Sequence, residues 1–356
     1  MHMSIKAAAV TAGVVAIGFV AMTRMPRAAA APADPHAGHV MTATEHIQHM
    51  AAAGDIHANH ALDEMRWAAF ARQAAPGSAA LPADDMGVVE RLKASPRKGE
   101  YVTINAGGTP MRAWVVHPQG TARAPVVVVI QEIFGLSDWI RGVADQLAAE
   151  GFIAVAPDLL AGRGTNGGDS TSLAANETTK VTLSLPSAEV IAKLKAAREY
   201  GLKLPQANGK SASVGFCFGG NQSFLMAVEE PSLNAAVVYY GTAPAAPAAP
   251  AAPGAAPAPG GGRGPAGPFV VAETVASIKA PVLGLYGGLT EDARIGNSIA
   301  PTEAKMKQLG KAYEPHVFEG AAHGFLRAQT GNNGANMKAT QQAWPLTVAW
   351  IKKNAG

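Results

Sequence analysis

The one cysteine of this chain sits in Gly215-Phe216-Cys217-Phe218-Gly219-Gly220. Ser211 to Val214 alternate like a short buried strand, and Asn221 to Glu229 read as a helix. A strand, a sharp turn and a helix, with small residues two before and two after the central one, is the sequence form of a turn that lifts a nucleophile above a sheet. Glycines flank such a turn because its backbone is strained and another segment packs close. A lone free cysteine is most often a small buried hydrophobe. The flanking glycines and the strand–helix context favour a reactive thiol instead. The chemistry of such a thiol is attack of its thiolate on an electrophilic carbon.

A thiol needs a base, and the base needs an orienting acid. Both belong on loops after later strands. Pro281 to Gly288 reads as a buried strand ending in glycines, with Asp292 just beyond it in Glu291-Asp292-Ala293-Arg294-Ile295. Glu314 to Phe318 alternates as another strand and runs into Gly320-Ala321-Ala322-His323-Gly324-Phe325. A histidine at a strand end, or an aspartate in a turn, is ordinary when taken alone. Nucleophile, acid and histidine in that order, each after a strand, form a much stronger signal. Glu291 is the rival of Asp292 as the orienting acid.

At these residues the chain resembles a known family. Gln131-Glu132-Ile133-Phe134-Gly135, the Gly-x-Cys-x-Gly-Gly turn, Asp-Ala-Arg-Ile after the late strand and Ala-His-Gly-Phe-Leu-Arg are similar to the dienelactone hydrolase (carboxymethylenebutenolidase) family. The resemblance runs from about Tyr101 to Lys353. It implies an α/β-hydrolase fold and a Cys–His–Asp triad, carried onto Cys217, His323 and Asp292. It implies that Glu132 lies beside the thiol, holding it at rest and helping to release the thiolate when substrate binds. It further implies a small lactone substrate bearing a carboxylate, with Arg327, four residues after His323, as one of the arginines that bind it. Arg163 lies in the region where the family has a second arginine. The stretch Ala161 to Leu185, rich in Gly, Asn, Ser and Thr, departs from the family there.

Carbonyl attack creates an oxyanion that needs preorganised donors. The backbone N–H of Phe218, at a helix N-terminus, is one. The N–H of Ile133, on the loop after the first core strand, is the other. The expected activity is therefore cleavage of ester or lactone bonds through an acyl-enzyme, without a cofactor. A broad carboxylesterase or thioesterase is the alternative, and a non-catalytic exported metal-binding protein is the alternative of another class.

The elements around these residues must position them. Tyr101–Asn105 and Met111–Val116 predict a hairpin across Gly107-Gly108-Thr109-Pro110. Pro125–Gln131 is a continuous apolar run, as for a strand buried on both faces. Asp138–Glu150 and Ala188–Tyr200 read as helices, Phe152–Ala156 and Ala235–Tyr240 as strands, and Met337–Lys353 as a closing helix that Pro345 bends or begins. The alternation predicts an α/β domain over 101–356, with a mainly parallel sheet and helices on both faces. Within it, 243–268 is almost only Ala, Pro and Gly and predicts a surface insertion that adds nothing to the core.

With 356 residues and 48% hydrophobic content, the chain can bury one sizeable core. A net charge of +3 points away from a nucleic-acid partner. Lys6, the apolar run Ala7 to Met22 and the small residues Ala28 to Ala33 predict an export signal over 1–33, placing the protein in the periplasm or outside the cell. An uncleaved membrane anchor is the alternative. Residues 34–100 predict a partly helical extension carrying His36/His39, His46/His49 and His57/His60. Each pair falls on one helical face and could share a metal ion. No His-Glu-x-x-His or closed zinc pattern accompanies them, so they read as a docking extension without a catalytic metal.

Overall fold

The computed structural model describes residues 80–97, 99–120, 122–246 and 268–356. Residues 1–33, where an export signal is expected, the three histidine pairs and residues 247–267 of the insertion lie outside the described residues. Strands β1 (Gly99–Ala106), β2 (Thr109–Val116), β3 (Ala124–Ile130), β4 (Ile153–Pro157), β5 (Ala207–Phe216), β6 (Ala235–Tyr239), β7 (Val282–Gly287) and β8 (Tyr313–Phe318) form one sheet. Its order is β1-β2-β4-β3-β5-β6-β7-β8. The β1–β2 and β2–β4 pairs are antiparallel and the rest parallel. This is the mainly parallel α/β sheet expected from the alternation of apolar runs and amphipathic stretches.

Parallel strands need crossovers, and those crossovers cover both faces of the sheet. Every residue of β3 and β4 is buried, which is why both read as unbroken apolar runs. On one face α2 (Asp138–Ala149) and α7 (Ala335–Ala355) pack Trp139, Val143, Leu147, Trp344 and Ile351 against Val127, Val129, Val214 and Val237. On the other, α4 (Ser187–Leu202) and α5 (Phe218–Glu229) pack Val190, Leu194, Phe224 and Met226 against Val126, Val128, Val155 and Val238.

Two helices in the sheet region differ from the sequence expectation. Helix α6 (Ala293–Gln308) follows the acid-bearing loop. Pro301 sits inside it and hides it from a propensity reading, yet Ile295, Ile299, Thr302 and Met306 form its buried stripe. Helix α3 (Ala175–Ser184) occupies part of the Gly- and Ser-rich stretch, with Thr178 and Thr182 buried and each hydroxyl donating to the carbonyl four residues earlier. Pro345 lies well inside α7 instead of starting it.

The domain boundary expected at 100/101 also shifts. Residues 80–97, including α1 (Val88–Ala94), belong to the packed body. Leu81 and Val88 join the core beside α2. Trp139 Nε1 donates to the Ala83 carbonyl, Gln329 Nε2 to that of Pro82, and Arg91 Nη2 to that of Leu81. The segment thereby ties the start of the body to the loop after β8.

Candidate active site

Cys217 stands between β5 and α5 with φ 55° and ψ −113°, a strained conformation for a residue with a side chain. The surroundings hold it there. Its N–H donates to the Tyr239 carbonyl at 3.1 Å, and its carbonyl accepts from the Asn221 N–H at 3.2 Å. The flanking glycines are required by close approach: a Cβ on Gly215 would lie 1.9 Å from the Gly219 carbonyl oxygen, and one on Gly219 would lie 2.3 Å from that of Ile130. The turn is thus wedged against the end of β3, and the thiol remains partly exposed.

Asp292 and His323 meet this turn from the ends of β7 and β8. Asp292 precedes α6 and is 7% exposed. His323 Nδ1 donates to Asp292 Oδ2 at 2.7 Å, which leaves Nε2 to meet the Cys217 thiol. Burial lowers the imidazole's pKa. The hydrogen bond to Asp292 and the adjacent Cys217 outweigh that and raise it to about 9. Glu291 is turned away: its carboxylate accepts from the Thr290 hydroxyl at 2.8 Å and lies against Gly288. Asp292, not Glu291, is therefore the acid that orients the histidine.

Glu132 follows β3 by two residues and is 3% exposed. Burial raises its pKa to about 7, against the lowering effect of Arg327 and His323. Its Oε2 lies 2.9 Å from Arg327 Nε, an ion pair whose N–H is not aligned for a hydrogen bond. Glu132 Oε2 therefore faces Arg327. Arg327 Nη1 in turn donates to Asp85 Oδ2 at 2.9 Å, and its guanidinium lies over the Phe134 ring, 4.9 Å from the centroid. Phe218 opens α5, where the N–H has no intrahelical acceptor, and Ile133 lies on the loop beside Glu132. Arg163 is not brought to this site; it forms an ion pair with Glu189 at the start of α4.

Two residues here carry no motif in the sequence. Tyr240 has φ 36°, its ring lies 5.0 Å from that of His323, and its buried hydroxyl has no hydrogen-bond partner among the described residues. Burial raises its pKa well above the usual range, and Glu132 and Cys217 push it further. The signal available was its place at the end of the apolar run Ala235–Tyr240. Asp85 lies in a segment with no pattern at all, and only the fold brings it to Arg327.

Residues 111–355 match the model of the dienelactone hydrolase family. The chain belongs to that family. A "Putative carboxymethylenebutenolidase" of Methylorubrum extorquens is 31% identical over 232 residues, covering 64% of this chain and 72% of that one. A protein of the same description from Escherichia coli O157:H7 is 28% identical over 259 residues, covering 72% and 87%. The crystal structure of a "Putative Dienelactone Hydrolase" from Klebsiella pneumoniae subsp. pneumoniae superposes with a TM-score of 0.58 at 25% identity, covering 72% of this chain and 99% of that one. This dienelactone hydrolase relative is thereby an α/β-hydrolase acting on ester or lactone bonds.

Proposed function

We propose that this hydrolase cleaves small esters or lactones through a thioester acyl-enzyme on Cys217. One observation carries the reading: His323 is fixed through Nδ1 by a buried carboxylate while the thiol stands beside it on a strained turn. His323 takes the Sγ proton as the thiolate attacks the carbonyl carbon. Asp292 holds the tautomer and offsets the imidazolium charge. The N–H groups of Phe218 and Ile133 receive the oxyanion. As the intermediate collapses, the C–O bond breaks and the imidazolium returns its proton to the leaving alkoxide. Water, deprotonated by His323, then attacks the thioester and releases the acid product and the thiol.

The sequence resemblance points to a dienelactone-like, carboxylate-bearing substrate held by Arg327. A broad-specificity carboxylesterase is the second reading. It is favoured by Arg327 already facing two carboxylates of the chain itself.

The test is substitution of the nucleophile. Cys217→Ala folds as the wild type does and loses hydrolysis of p-nitrophenyl esters and small lactones by at least about 10³-fold in kcat/KM. Cys217→Ser retains weak ester cleavage, because base and oxyanion donors remain. A Cys217→Ala protein keeping most of the wild-type turnover overturns the thiol mechanism.

A further inference from the structure

Arg327 is the cation of the site, and the chain supplies both of the carboxyl groups beside it. Glu132 reaches Nε from the loop after β3. Asp85 reaches Nη1 from the segment that precedes α1. The two carboxylates approach different nitrogens, and Phe134 covers a face of the guanidinium plane. A guanidinium offers its donors in a rigid fork that carboxylates match. One edge of that fork is therefore occupied by a carboxylate the protein carries itself.

Asp85 is not a loose surface residue that happens to lean on Arg327. Its own N–H donates to the Arg327 carbonyl at 3.0 Å, so the two residues are joined by backbone as well as by side chain. The flanking positions are fixed by the bonds from Trp139, Gln329 and Arg91 and by burial of Leu81 and Val88. The side chains of the pair remain reachable, with Asp85 53% and Arg327 27% exposed. Asp85 also lies before residue 111, where the match to the family model begins. Its contact is thus a property of this chain that the family match does not describe.

We propose that Asp85 is a specificity-determining residue: its carboxylate fills the anion-binding edge of Arg327 and sets the site for substrates that are neutral next to the scissile bond. A substrate carboxylate approaching Arg327 meets a cation already paired with Asp85 and the like charge of that carboxylate close by. It must displace Asp85 or remain unpaired in a partly desolvated cleft. A neutral ester or lactone faces no such demand. The inference rests on the cysteine-hydrolase reading and deepens it by naming the substrate class.

Two lactones of matched size test it: a γ-butyrolactone with an acetate side chain, and the same lactone with that acetate converted to its primary amide. The wild type is expected to hydrolyse the amide form with the higher kcat/KM. Asp85→Asn shifts the carboxylate-to-amide ratio of kcat/KM toward the carboxylate by about 10-fold, mainly through KM. Asp85→Ser does the same if the asparagine variant does not fold. A wild type that favours the carboxylate, or a ratio unmoved in a folded Asp85 variant, overturns the proposal. So does failure of the wild type to cleave either lactone. Hydrolysis that survives Cys217→Ala overturns the thiol mechanism instead and leaves the substrate comparison standing, so the two failures are told apart.

Discussion

Glu132 is a residue of the site whose charge state the fold changes. Its pKa of about 7 in the folded protein, against about 4.5 in the unfolded chain, means that folding holds its proton over that interval. The sign follows from linkage: stability is fully present below about pH 4.5 and falls as pH rises through 7, where a buried carboxylate must ionise. A shift of this size corresponds to about 3 kcal/mol. His323, raised to about 9 from an ordinary 6.5, adds a second decline between those two values. The expected profile from urea unfolding is thus a continuous loss of stability from pH 5 to 9. Glu132→Gln flattens its lower half and leaves the upper half in place. Wild-type stability that stays level or rises between pH 5 and 7 would show that Glu132 is not held protonated.

At the scale of elements, the site depends on how tightly the β5–α5 turn is set against the end of β3. Gly219 has the Ile130 and Gln131 carbonyl oxygens 2.3 and 2.5 Å from where a Cβ would sit. Backbone on both sides cannot yield as a flexible side chain could. Gly219→Ala therefore separates the turn from β3, and with it Cys217 from the loop that carries Glu132 and Ile133. The expected cost is about 3 kcal/mol in urea unfolding, at the upper end for overpacking. If Cys217 is the nucleophile as proposed, its displacement costs roughly 10²-fold in kcat/KM, since a shift near 1 Å is enough for that. Wild-type turnover in this variant would mean that the turn is not a positioning device. This element was legible in the sequence because close approach and strain select glycine at fixed offsets from the central residue of the turn. Helix α6 was not, because Pro301, Gly296 and Asn297 are breakers whose cost is offset by burial of Ile295, Ile299 and Met306, and burial is a tertiary fact. Helix α3 was hidden likewise, its buried side chains being threonines bonded back to their own helix.

At the scale of the molecule, the parallel sheet gathers Cys217, Asp292 and His323 at the ends of β5, β7 and β8, far apart in sequence but adjacent in strand order with β6. That arrangement was readable, because a nucleophile, an acid and a histidine on successive strand ends have one place to meet. Asp85 and Tyr240 were not readable, because one comes from a segment without periodicity and the other differs from a core tyrosine only by its neighbours. The same sheet explains how the Ala-, Pro- and Gly-rich insertion is tolerated between β6 and β7. Its two ends are already joined: Ala245 bridges Val271 in antiparallel register, the Ala246 N–H donates to the Val270 carbonyl and the Ala272 N–H to that of Pro244, both at 2.8 Å. Among the described residues, β7, and hence Asp292, is held by its pairing with β6 and β8 on the sheet side of that closure. Replacing residues 247–267 with a Gly-Asn-Gly turn should therefore keep kcat/KM within about twofold of wild type. It should also raise stability by about 1–2 kcal/mol, because a shorter loop has less closure entropy to lose. Urea unfolding and ester turnover on the same preparation check both. A large loss of turnover with the fold intact would mean that the insertion takes part in substrate binding, and the closure between Ala245 and Val271 would then be a hinge for it.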